Sequence, residues 1–231
     1  MAEDARGKRQ EDRRSWIPAP RLKHAGTSFA GMTLLAVALQ FYCSDALAFQ
    51  LCKQYAHDVK RFHNFYFGID FPYEYSVAQL HKESLCRENI LSSDGIGSEG
   101  VAQITFRIWK RELEREGIPE IKTISNHLRA QAYINKQCYE QAICKKLWVM
   151  YQIYNGGTLV NIEIKRAGSC DWAKAYKACK RRDIVFVPTQ SVGTRKSRPA
   201  CEINYEYSKE IFEIGRQYRS RESGVGSYEY W

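Results

Sequence analysis

Among eight cysteines no two are spaced as a C-x-x-C pair, the spacing that zinc ribbons and dithiol redox sites use, so neither class fits this chain. There is no internal repeat, which removes solenoids and propellers. Only one segment, "DIVFV" at 183–187, reads as a strand, so a sheet-built domain is excluded. Histidines number five, and His57 and His63 stand six apart, which does not set two imidazoles on one helix face. No metal and no other cofactor is expected. Acid is the scarcer charge: 26 Asp and Glu against 35 Lys and Arg leave a net +9. That balance predicts attraction to a polyanion, for which nucleic acid, anionic lipid and the carboxylate-bearing bacterial cell wall all qualify.

What is present suffices for one sizeable core: 231 residues, 44% hydrophobic and 13% aromatic. Eight cysteines (Cys43, Cys52, Cys86, Cys138, Cys144, Cys170, Cys179, Cys201) are many for a cytosolic chain. They predict disulfides in an oxidising compartment, with buried free thiols as the alternative and the pairing left open. Cys170 and Cys179 flank "DWAKAYKA" and are candidates to staple that segment, together with Cys201.

Residues 1–24 are polar, densely charged and carry two prolines, and they read as a basic tail. Residues 25–48 switch to an apolar composition in which only Asp45 is charged, preceded by Arg13, Arg14, Arg21 and Lys23. This is a signal or membrane-anchor pattern, with Ala46-Leu47-Ala48 as an A-x-A cleavage site. Cleavage there would leave seven cysteines and retention eight, so parity leans toward a retained N-terminal apolar helix. From 49 to 219 the apolar residues recur three and four apart, predicting helices near 49–64, 73–86, 104–116, 124–152 and 202–218. Gly117-Ile118-Pro119 ends one of them, and 220–231 reads as a C-terminal tail.

On the helix that starts near Pro72, Tyr73, Val77, Leu80 and Ser84 stack on one face and Glu83 falls on its shoulder. A carboxyl held at such an edge is partly desolvated, which raises its pKa toward what a general acid needs. The bland alternative is a solvated surface acid. The next residues, "SSDGIGSEGVAQ", combine tight-turn glycines with Ser92, Ser93 and Gln103 as neutral hydrogen-bonding groups, a wall suited to an uncharged polar substrate such as a sugar.

"FPYEYSVAQLHKES", "SSDG", "GVAQ" and "YNGG" occur in an order that resembles the lysozyme-like domain of the soluble lytic transglycosylases. Glu83-Ser84, Ser92, Gly95, Gly100, Gln103, Tyr154, Asn155 and Gly157 fill the family's positions, and "CEINYEYSKEIFEIGRQYR" is similar to its closing helix. Two extra residues lie within "IGSEG", Ala102 stands where methionine is usual, and the segment after "YNGG" is enlarged. The resemblance covers most of 60–219. It implies a mainly α, lysozyme-like domain over 49–219 with a small β element.

The resemblance further implies cleavage of the β-1,4 bond between N-acetylmuramic acid and N-acetylglucosamine in peptidoglycan, with a 1,6-anhydromuramyl product. Glu83 would be the catalytic acid and then base, and Ser84, Ser92, Gln103, Tyr154 and Asn155 would contact or orient substrate. Asp94 and Glu99 are the candidates for a second carboxylate, which would make the enzyme a hydrolytic muramidase. The partner is then the glycan strand rather than a specific nucleic acid, with membrane contact through 25–48, protein assembly through the N-terminal segment, and the periplasm, cell envelope or a virion as location. The rivals are a nucleic-acid or membrane-surface binder and a structural component of a phage ejection or secretion apparatus.

Overall fold

A computed structural model describes residues 49–92, 96–180, 184–188 and 195–223. The basic tail 1–24, the apolar segment 25–48, Ser93, Asp94, Gly95 and the last eight residues lie outside the described residues. Among those described, no helix is long and apolar enough to cross a membrane.

The domain is mainly helical. After a short helical stretch at 49–53 come α1 (Ala56–Phe67), α2 (Glu74–Ser84), α3 (Phe106–Arg115), α4 (Ile124–Gln141), α5 (Leu147–Gly156), α6 (Leu159–Ala167) and α7 (Trp172–Ala178). A two-stranded antiparallel sheet, β1 (Ile184–Pro188) and β2 (Arg195–Pro199), leads into α8 (Ala200–Ser223). Helix α5 packs on both α4 and α8, α2 lies along α8, and α1 packs on α4. The centre is α5, whose Trp148, Val149, Met150 and Tyr151 are completely buried. Such a sequence is apolar all round, and a helix of that kind folds only inside a core.

Gly117 stops α3 as its sequence predicts. It takes φ 75°, its N–H bonds Glu114 O at 3.1 Å and the Ile118 N–H bonds Leu113 O at 2.8 Å. These two bonds form a Schellman motif, and the buried Leu113 and Ile118 supply its usual apolar contact.

Helix α8 is in close contact with α2 at Gly215, where a Cβ would lie 2.2 Å from Tyr75 Cδ1. Only a residue without a side chain fits there. Glu83 lies eight residues after Tyr75 and Tyr207 eight before Gly215, so the antiparallel pair brings Tyr207 opposite Glu83 about 12 Å along the helices. The register set at Gly215 therefore places the partner of the candidate acid.

Several expectations change. The single helix predicted over 124–152 is two helices, because Asn161 of α6 caps the break: its Oδ1 accepts from Ile143 N at 3.0 Å and its Nδ2 donates to Gln141 O at 2.9 Å. Residues 195–199, outside the one segment read as a strand, form β2 against β1, because pairing with β1 supplies main-chain hydrogen bonds that local sequence does not reveal. Helix α8 runs to Ser223, past the predicted end at 218. Cys170 and Cys179 do not join each other: the pairs are Cys52–Cys86, Cys144–Cys170 and Cys179–Cys201. Cys138 is buried and free, so a count of paired cysteines does not distinguish cleavage from retention of 25–48.

Candidate active site

Helix α2 ends immediately after the Glu83-Ser84 pair. Leu85 and Cys86 follow at φ 54° and 59°, left-handed conformations that cost a non-glycine residue roughly 1–2 kcal/mol each. Cys86 is buried and bonded to Cys52, which holds the chain in this turn. Ser84 is turned inward: its Oγ lies 2.8 Å from Val101 O and 3.3 Å from Leu80 O, and it does not line the cleft. Its role is to tie α2 to the following wall, rather than the substrate contact expected of it, because the helix face it occupies points at the core.

Burial pushes the Glu83 carboxyl up to about 7, against the opposing pull of the hydrogen bond from Tyr207 and the charge of Lys82. Its place in the last turn of α2, at the negative end of the helix dipole, also disfavours the anion. Glu83 Oε1 accepts from the Tyr207 hydroxyl, and Oε2 has no hydrogen-bond partner among the described residues. Tyr207 on α8 and Tyr154 on α5 are both held well above the ordinary tyrosine value, first by burial and next by the neighbouring Glu83 charge, so each stays a neutral donor.

Beside the acid runs a strap, 100–103, fixed from four directions. The Gly100 φ is 72°, and a Cβ there would lie 2.4 Å from the His127 ring. His127 Nδ1 meets Ile121 O at 3.1 Å and must be the donor, so Nε2 accepts the Ala102 N–H at 3.1 Å. Tyr154 donates to Ala102 O at 2.7 Å, and Ser84 holds Val101 O. Gln103, at φ 49°, gives its amide protons to Gly100 O (2.9 Å) and Ile90 O (3.1 Å). Its Oε1 is what it can offer a ligand. Ala102 is completely buried, so the departure from methionine falls away from the cleft.

These elements enclose a cleft of about 530 Å³. Of the residues singled out by sequence, Glu83, Ser92, Gln103, Tyr154 and Asn155 line it together, with Asn155 Nδ2 bonded to Asn204 Oδ1 at 2.5 Å. Among the described residues no charged side chain other than Glu83 is in its lining. Glu99 lines a separate hollow of about 390 Å³ with Glu88, Lys122 and His127, and Asp94 lies outside the described residues. The sequence reading missed Tyr207 and His127, which hold the acid and the strap, and Ile108 and Trp109, which give the cleft an apolar side on which a sugar face can stack. Tyr207 sits in an amphipathic helix where a tyrosine reads as core, and nothing local marks it. Among the described residues one group of metal-type donors occurs, Glu163 with Cys179 and Cys201, but its two sulfurs are joined to each other.

No family model matches the chain, and comparison with curated proteins and with solved structures finds no match either.

Proposed function

We propose that this chain is a peptidoglycan lytic transglycosylase of lysozyme-like fold in which Glu83 is the single acid and base. The observation that carries the reading is a carboxyl raised by burial to about 7 and opening on a cleft whose other described lining is uncharged. The order of the Glu-Ser, Gly-Val-Ala-Gln and Tyr-Asn-Gly-Gly segments supports the assignment to that family.

Glu83 Oε2 protonates the glycosidic oxygen between N-acetylmuramic acid and N-acetylglucosamine while the N-acetyl group assists departure of the leaving sugar. The Glu83 carboxylate then takes the proton of the 6-hydroxyl as that oxygen closes the 1,6-anhydro ring. The proton given is recovered and no water is consumed. Ser92, Gln103 Oε1 and Asn155 hydrogen-bond the sugar and its N-acetyl group, and Tyr154 keeps the strap beside the acid. A hydrolytic route needs a second carboxylate; of its two candidates Glu99 lines the other hollow, which weighs against it, and Asp94 lies outside the described residues. Three disulfides among the described residues and a net charge of +9 favour work in an oxidising compartment on a carboxylate-rich wall, as in local wall opening by a phage or an envelope-spanning machine.

The test is digestion of purified peptidoglycan by the full chain and by its Glu83→Gln variant, with products weighed by mass spectrometry. Anhydromuramyl ends from the parent alone are expected. Reducing ends would establish a hydrolase instead, and intact glycan would overturn the enzymatic reading.

A further inference from the structure

Behind Glu83, where α1, α2 and α4 meet, the interior is polar. His63, Gln79, Gln131 and Asn135 are all completely buried. Gln79 Oε1 accepts from Gln131 Nε2 and from Asn135 Nδ2, each at 2.9 Å, and Gln79 Nε2 reaches the Tyr207 hydroxyl at 3.4 Å.

The direction of every bond is determined, because the chain is anchored on two main-chain carbonyls that cannot donate. Gln131 Nε2 also meets Ser76 O at 3.1 Å, so the amino end of Gln131 must face that way and therefore faces Gln79. His63 Nδ1 meets Val59 O at 2.9 Å and must donate; burial holds His63 neutral, down to about 4, so its Nε2 is an acceptor. Asn135 Nδ2, 3.1 Å from that Nε2, is then the donor both to His63 and to Gln79. Two donors fix the Gln79 carbonyl, and its amino group is left for Tyr207. With its oxygen accepting from Gln79, Tyr207 gives its one proton to Glu83 Oε1.

Gln131 Oε1 and Asn135 Oδ1 find no partner among the described residues. Buried carbonyl oxygens left unmet cost stability, and an apolar filling of the same shape would not incur that cost. The arrangement is thus poorly explained by stability and well explained by where it ends.

We propose that Gln79, locked by Gln131, Asn135 and His63, is a positioning residue that keeps the Tyr207 proton on Glu83 Oε1 and so confines the acid proton to Oε2, the oxygen without a partner among the described residues. This rests on Glu83 being the acid of the proposed reaction. Without Gln79, neutral Glu83 can place its proton on Oε1 and donate it to Tyr207, where it is lost to catalysis. The other titratable groups that bear on Glu83 are Lys82, beside it on α2, and Tyr154 on α5; neither is part of the chain of bonds.

The experiment compares the full chain with Gln79→Met, Asn135→Leu, Tyr207→Phe and the Gln79→Met/Tyr207→Phe double variant. Peptidoglycan cleavage is followed for kcat and KM, and the Glu83 carboxyl is titrated by carbon NMR, assigned by its absence in Glu83→Gln. Gln79→Met is expected to lower kcat roughly tenfold with KM within about twofold, since misplacing a catalytic group affects the chemical step. It should also raise the Glu83 midpoint by roughly half a unit, because loosening a hydrogen bond to the carboxylate favours the neutral form. Asn135→Leu should move both the same way by less, and also serves if Gln79→Met does not fold. In the Tyr207→Phe background, Gln79→Met should add nothing to either quantity. Additive effects, or an unchanged titration and kcat with only a lowered melting temperature, would overturn the proposal. If the parent cleaves nothing, the proposed activity fails, while the titration still decides whether Gln79 acts on Glu83 through Tyr207.

Discussion

The two sides of helix α2 meet different interiors. Toward α5 and α8 the contacts are aromatic: the Tyr75 ring centroid lies 4.6 Å from that of Phe212, and Phe212 lies 6.3 Å from Tyr151. Toward α1 and α4 the same helix buries Gln79 in a network of amides and one imidazole. Both interiors are closed to solvent, and both reach Tyr207, which sits on the aromatic side by its backbone and on the polar side by its hydroxyl. The difference teaches that the first region supplies folding energy and the second directs one hydroxyl proton.

If that division is right, the largest loss of stability comes from the aromatic side. Trp148→Ala should cost about 3–5 kcal/mol in denaturant unfolding, the usual penalty for an emptied aromatic site. A loss below about 1 kcal/mol would erase the distinction between the two interiors.

Gly215→Ala tests how the aromatic side positions the polar one. Forcing a methyl group against Tyr75 should destabilise by roughly 1–3 kcal/mol. Because the same contact sets the Glu83–Tyr207 register, glycan cleavage should fall by more than the lost stability explains. Equal activity per folded molecule would uncouple the two regions.

Glu83→Gln sharpens the comparison from the polar side. The Glu83 carboxyl stands at about 7 in the folded chain against an ordinary 4.5, so ionising it costs more folded than unfolded. Its contribution is fully present below about pH 4.5 and is lost as pH rises through about 7. The amide variant should therefore unfold like the parent at pH 4 and be more stable at pH 8, by on the order of 2 kcal/mol. The same substitution should remove roughly 10²–10⁴-fold of the cleavage rate, and the parent's rate should fall as pH rises past about 7. Equal stability at pH 8 would mean that the carboxyl is not withdrawn from water.

The smallest effect is expected at the turn after the acid. Leu85→Gly, at an exposed left-handed position, should be neutral or stabilising by up to about 1 kcal/mol in thermal unfolding, as relief of strain is offset by the greater entropy of glycine in the unfolded chain. A clear loss would show that the Leu85 side chain packs more usefully than its 41% exposure suggests.

By itself the sequence determined the helical class, the stop at Gly117 and the grouping of Glu83, Ser92, Gln103, Tyr154 and Asn155, because these rest on local periodicity, a left-handed cap and short motifs in order. Tertiary structure alone decided the rest. The break after Gln141 depends on Asn161, twenty residues on, and β2 on a partner strand. Ser84 became a tie because Val101 O lies within its reach, and the cysteine pairs join residues 22 to 34 apart. The hydroxyl on Glu83 comes from Tyr207, 124 positions away, brought there by a register set at Gly215. Such contacts are made by close approach of distant segments, and local patterning carries no record of the partner.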